Sequence, residues 1–131
     1  MIPERYTPVT YALFRIVFGY VFLLYGLQKT AGWFGGTQIP LTSWPQGPAG
    51  VVETVCGLMI LLGLFTRVTA FVASGEMAVA YFYAHVPRGS LMPIMNMGEI
   101  TVALCFGFLY IATRGGGRFS LDALLGSSRK G

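Results

Sequence analysis

Four long apolar runs leave this chain few ways to fold. They cover residues 8–28, 49–65, 68–86 and 91–112 of 131. A helix rises ~1.5 Å per residue, so about 20 apolar residues cross ~30 Å of hydrocarbon. In hydrocarbon every backbone N–H and C=O must be paired within the protein, which a helix does by itself. The expected fold is therefore all-α: an antiparallel membrane four-helix bundle, in one integral membrane domain spanning residues 1–131. Only 11% of residues are charged, where soluble domains carry about 25%. The first run is too long for a signal-peptide core and no small-residue cleavage site follows promptly, so it reads as a span.

The connections say how the spans are arranged. Thr66-Arg67 joins runs two and three tightly, and runs three and four are also close, so these neighbours are antiparallel. The longest connection, residues 29–48, holds Trp33, Phe34, Gly35, Gly36, Trp44 and Pro45. Its tryptophans suit the headgroup layer, which predicts an interfacial loop. In the tail, residues 114–131, glycines 115–117 end the fourth helix. Ser120 then caps a short interfacial helix with Asp122 in its first turn and Leu121, Leu124 and Leu125 on its apolar face. Residues 126–131 are read as disordered.

Net charge is +4, but the basic residues mark topology rather than nucleic acid: no basic stripe is interleaved with aromatics. Four spans put Arg5, Arg67, Arg114, Arg118, Arg129 and Lys130 on one side with both termini, and Arg15 close by. The other side has Lys29 and Arg88. The positive-inside rule places both termini in the cytoplasm. Cys56 and Cys105 lie in apolar runs with no CxxC, and read as small buried hydrophobes.

Three of the five acidic residues, Glu53, Glu76 and Glu99, lie inside apolar runs. A charge at that depth costs ~2.5–3.5 kcal/mol on insertion scales and usually faces a bundle interior or polar cavity. Glu53 lies roughly 6 Å below the outer face and Glu99 roughly 9–12 Å. Lys29, His85 and Asn96 enter from that face too, so Lys29, Glu53, His85, Asn96 and Glu99 form a candidate polar pocket beneath the aromatic loop. Glu76 lies near the midplane at about the depth of Arg15, which predicts a structural Arg15–Glu76 ion pair. Trp33, Trp44, Arg67 and Asp122 are interfacial candidates. The pocket has four readings: a quinone or quinol site, where buried carboxyls and a histidine supply protons; a metal site, weakened by the lack of HxxE or HxxxH; a lipid-headgroup or small-solute pocket; or hydrogen bonds and ion pairs that fix the bundle. No catalytic residue and no metal ligand is assigned.

One pattern runs through nearly the whole chain. It begins with Arg15, Gly19, Phe22 and Gly26-x-x-Lys29, then Trp-Phe-Gly-Gly. Glu53-x-x-x-Gly57-x-x-x-x-x-Gly63-Leu-Phe-Thr66-Arg67 follows, then Met77, Ala80, His85 and Asn96-x-x-Glu99, and lastly Gly115-Gly-Gly-Arg118-Phe-Ser120-Leu-Asp122. In order and spacing this resembles the DoxX family. The resemblance implies a four-helix protein of the bacterial cytoplasmic (inner) membrane, with functional polar positions at Lys29, Glu53, Arg67, His85, Glu99 and Asp122. The family takes its name from a small subunit associated with a thiosulfate:quinone oxidoreductase; some members belong to membrane redox complexes and distant relatives assist receptor assembly. The family's commoner Asn-Gly-Gly-Glu reads Asn96-Met97-Gly98-Glu99 here, which is expected to narrow the space beside Glu99.

Three functions follow as expectations. The first is an accessory or quinone-contacting subunit of a membrane redox complex. The chain shows no flavin, haem or iron–sulfur motif, so electrons would come from oxidoreductase partner subunits. The others are a non-catalytic assembly or scaffold protein and, more weakly, a small-solute carrier, for which no inverted repeat is visible. No cofactor is assigned, with quinone or lipid as the candidate ligands, and a homo-oligomer is compatible with the small residues Ala70, Ser74 and Ala78 on helix three. A stand-alone enzyme has the least support, since no triad order or phosphate loop is present.

Overall fold

A computed structural model describes residues 1–126. Arg129, Lys130 and the 127–131 stretch of the expected disordered tail lie outside the described residues. Among the described residues every regular element is helical, with no strand. Helix α1 runs Thr7–Thr30, α2 Gln46–Leu62, α3 Thr66–Ala80, α4 Pro93–Asn96, α5 Glu99–Arg114 and α6 Leu121–Leu125. A π turn, Tyr81–His85, and a 3-10 turn, Val86–Arg88, continue α3. The four main helices alternate in direction. One end of the bundle carries the N-terminus, the α2–α3 turn and α6. The other carries the 31–45 loop and α4.

The α2–α3 turn comes earlier than hydropathy suggested, at residues 63–65, and Thr66 and Arg67 open α3 instead of joining the two helices. Helix α2 stops at Leu62, where Gly63 takes the left-handed conformation with φ 74°. Gly63 N–H bonds Ile60 C=O (3.1 Å) and Leu64 N–H bonds Met59 C=O (2.8 Å), the paired bonds of a Schellman end. The apolar run to residue 65 hid this end, because Leu64 and Phe65 continue the run without continuing the helix. The fourth run is also not one helix. Met97, at φ 61°, breaks it between α4 and α5, and Asn96 Oδ1 accepts from Gly98 N–H (2.9 Å) across the break.

Helices α1 and α2 pair closely, and α3 pairs with α5. The first pairing depends on glycine. A Cβ at Gly19 would lie 2.5 Å from Leu61 N, and one at Gly57 2.5 Å from Leu23 N. Backbone meets backbone there, as small residues permit. Phe22, Ile60, Ala70, Ala73, Phe108 and Ile111 are fully buried and form the core. Outward, the bundle exposes Leu13, Val17, Val55, Phe71, Phe106 and Leu109.

Charged side chains hold the helix ends at the terminal end of the bundle. Arg15, 1% exposed, donates to Ile60 C=O (2.7 Å), Leu61 C=O (2.8 Å) and Phe119 C=O (2.6 Å). It thus neutralises the last carbonyls of α2, where a cation complements the helix dipole. Arg67 does the same for α5, donating to Ala112 and Thr113 C=O. Asp122 accepts Phe65 N–H (2.7 Å) and Thr66 N–H (2.9 Å), capping α3 from the tail. Its own N–H reaches Gly63 C=O (2.8 Å). Partial burial pushes the Asp122 carboxyl up, but the hydrogen bonds from Thr66 and Phe65, with Arg15 nearby, hold it below its ordinary value. Ser120 caps α6 as expected, its Oγ accepting from Ala123 N–H (3.2 Å).

Candidate functional site

At the loop end of the bundle a cavity of about 460 Å³ opens between α1, α2, α3 and α5, a size usual for small-molecule sites. Its wall is mostly apolar and aromatic, with Tyr25, Trp44, Val52, Met77, Tyr83 and Leu104 among its residues. Lys29, Glu53, Glu76, His85, Arg88 and Thr101 bring polar groups to it.

Lys29 Nζ meets Glu53 Oε1 at 2.6 Å, with Glu53 only 2% exposed and Lys29 28%. This is the only salt bridge among the described residues. Lys29 reaches it from the last turn of α1, and Glu53 from the middle of α2. Gly50 makes room: a Cβ there would lie 2.8 Å from the Lys29 Cβ.

Glu76 corrects one expectation. It forms no pair with Arg15, which is occupied by carbonyls at the other end of the bundle. Matching depth was not enough, because the two side chains point toward different ends. Glu76 instead lines the cavity, with its carboxyl group within hydrogen-bonding reach of Glu53. Its Oε1 is buried and has no hydrogen-bond partner. One lysine ammonium thus faces two carboxyl groups. Arg88 also lines the wall, but its guanidinium reaches Met97 Sδ (3.9 Å).

His85 lines the cavity with both ring nitrogens engaged. Nδ1 is 3.3 Å from Asn96 C=O and Nε2 is 3.2 Å from Thr101 Oγ1. A carbonyl only accepts, so Nδ1 carries a proton; in the neutral ring the Thr101 hydroxyl then donates to Nε2. The π turn sets this direction. Nine residues at about 100° each would put His85 about 180° from Glu76 on a regular helix. One extra residue in the π turn brings it back by about 100°, toward the cavity side.

The other two pocket candidates lie elsewhere. Asn96 is buried and does not line the cavity: its Nδ2 donates to Tyr81 hydroxyl (3.0 Å) and Ser90 C=O (2.9 Å), and its Oδ1 accepts Gly98 N–H. It ties the break between α4 and α5. Glu99 is exposed in the first turn of α5 and outside the cavity. The broken fourth run is the reason, since the i, i+3 spacing of Asn96 and Glu99 does not span one helix. The Met97 side chain, expected to narrow the space beside Glu99, is exposed. What Met in place of the family's commoner Gly changes is the backbone, because φ 61° is a conformation glycine takes freely. Trp44 lines the cavity; Trp33 is exposed away from it. Reading the sequence missed Thr101, whose only signal is its place two residues after Glu99, and it assigned Glu76 to the wrong partner.

The chain also has relatives among known proteins. A family model described as DoxX matches residues 10–86, and one described as "TQO small subunit DoxD" matches residues 49–130. The chain is 40% identical over 128 residues to an uncharacterized protein of Haemophilus influenzae, covering 91% of this chain and 92% of the relative. It is 31% identical to the Mycobacterium tuberculosis protein named "Uncharacterized membrane protein Rv3486", over 90% of this chain and 82% of that one. It is 28% identical to "Inner membrane protein YphA" of Escherichia coli, over 88% and 89% respectively. No solved structure matches the chain. The chain is a DoxX/DoxD-like membrane protein and belongs to the DoxX family.

Proposed function

We propose that the cavity receives the headgroup of a membrane quinone or quinol, and that the chain serves as an accessory, quinone-contacting subunit of a membrane redox complex. The observation that carries this reading is the polar cluster of Lys29, Glu53, Glu76 and His85 inside an otherwise apolar and aromatic wall. A quinone has that composition: a flat apolar ring with two oxygens that accept or donate hydrogen bonds. Lys29 keeps ammonium protons for a ligand carbonyl, and Glu76 Oε1 is unpaired. The family model named for a TQO small subunit, matching residues 49–130, supports the same direction.

The protein lies in this reading in the bacterial inner membrane, with the basic terminal end in the cytoplasm and the cavity toward the outer face. Support comes from the outward apolar side chains around the bundle. The helical stretch 4–30 is long and apolar enough to cross a membrane, and α2 is a shorter apolar helix. The relative in Escherichia coli is named an inner membrane protein.

Purification in mild detergent, native mass spectrometry and extraction of bound lipids test the proposal. Expected are a bound quinone and copurification with an oxidoreductase, both reduced in a Glu53→Gln, Glu76→Gln double variant. A preparation with neither, from cells whose quinone pool is unchanged on deletion, contradicts it.

A further inference from the structure

We infer that Glu76 makes the cavity discriminate between the two redox forms of its ligand, holding a ring hydroxyl (the quinol) more tightly than a ring carbonyl (the quinone). This rests on the headgroup reading above and goes one step further, to the identity of the bound form.

The inference comes from the hydrogen-bonding capacity left over at the cavity. His85 is spent, with Nδ1 on Asn96 C=O and Nε2 on Thr101. The Thr101 O–H donor is used by the same bond, and its oxygen is left only to accept. Tyr25 and Tyr83 carry hydroxyls that can donate or accept, so they favour neither form. Lys29 makes one bond, to Glu53, and its remaining N–H groups donate to any ligand oxygen. Gln46 can also donate or accept, and the Trp44 and Arg88 N–H groups donate to the oxygen of either form. Glu76 Oε1 is the remaining group, a buried carboxyl oxygen with no hydrogen-bond partner; the proton of two carboxyl groups in hydrogen-bonding reach lies between Glu76 and Glu53, so this oxygen only accepts. A quinol hydroxyl supplies that donor while its oxygen can still accept from Lys29. A quinone carbonyl placed there sets acceptor against acceptor and leaves the buried oxygen unpaired. Sites built around a ligand hydroxyl reject analogues that lack it far better than apolar pockets sort ligands by size.

The test uses the full chain in lipid nanodiscs and three probes with one alkyl chain: a decyl hydroquinone kept anaerobic, the matching quinone, and the hydroquinone dimethyl ether. The dimethyl ether retains the oxygens and lacks the donors. Wild type is expected to bind the hydroquinone about ten-fold more tightly than either other probe, the effect of one well-placed buried hydrogen bond. In Glu76→Met, which removes the acceptor, that ratio falls to about one, while Lys29→Met weakens all three probes. The wild-type ratio needs no variant; if Glu76→Met does not fold, Glu76→Asp, whose shorter side chain withdraws the oxygen, is expected to lower the ratio instead. Equal binding of the three, or tighter binding of the quinone, overturns the inference while leaving the headgroup reading intact. A ratio that persists in folded Glu76→Met removes Glu76 as its cause and also overturns it. Failure of all three probes to bind overturns both readings.

Discussion

Asp122 offers a stringent test of how the terminal end of the bundle is held. Its carboxylate accepts two backbone N–H groups, from Phe65 at 2.7 Å and Thr66 at 2.9 Å, at a helix start that has no cap from its own segment. Replacing a helix cap with alanine costs about 0.5–2 kcal/mol, and hydrogen bonds to a charged group contribute about 1.5–3 kcal/mol where shielded. The site is largely solvent-accessible, so the lower part of each range applies. Asp122→Ala is expected to cost about 2 kcal/mol and Asp122→Asn, which keeps one acceptor, about 1 kcal/mol. The carboxyl is held below its ordinary value in the fold. Its contribution is therefore fully present above the unfolded value of ~3.9 and is lost as pH falls through the lower folded value. Reversible unfolding in mixed micelles would measure the cost, and hydrogen exchange at residues 65–69 would localise it. Full stability in Asp122→Ala, or exchange unchanged at the start of α3, would refute the reasoning.

Other outcomes follow from single contacts. Lys29→Met leaves Glu53 buried and unpaired and should cost about 3–5 kcal/mol, whereas Lys29→Met with Glu53→Met should recover most of it; thermal unfolding of the three proteins checks this. Gly57→Ala forces a Cβ to 2.5 Å from Leu23 N and should destabilise by about 1–3 kcal/mol, read from the same melting curves. Arg15→Met strips donors from three carbonyls and should cost about 3 kcal/mol, while Glu76→Gln should leave stability within about 1 kcal/mol; equal losses in the two would restore the rejected ion pair. Met97→Gly relieves a left-handed methionine and should stabilise by about 0.5–1 kcal/mol, seen as a higher melting temperature.

The four-helix architecture was legible because apolar runs of this length admit few folds, and Ser120 announced its cap by position. Helix ends inside apolar runs were not legible. Gly63 was the only mark of the α2 end, and hydropathy continued past it. The π turn at residues 81–85 and the left-handed Met97 change helical phase, which periodicity assumes to be constant. The cavity wall accordingly includes Glu76 and His85 beside Lys29 and Glu53, and leaves out Asn96 and Glu99. Charged residues assigned to the interface proved to have tertiary partners: Arg67 and Asp122 join helix ends that lie far apart in sequence, which no local pattern records.

The central claim is that the cavity holds a quinone-type headgroup, and photolabelling tests it most directly. A quinone analogue with an azide on its ring, irradiated with the protein in native membranes, should label peptides covering residues 44–53 and 76–85, and excess unlabelled quinol should suppress that labelling. Labels confined to the outward faces around Phe71 and Leu109, undiminished by competitor, would contradict it.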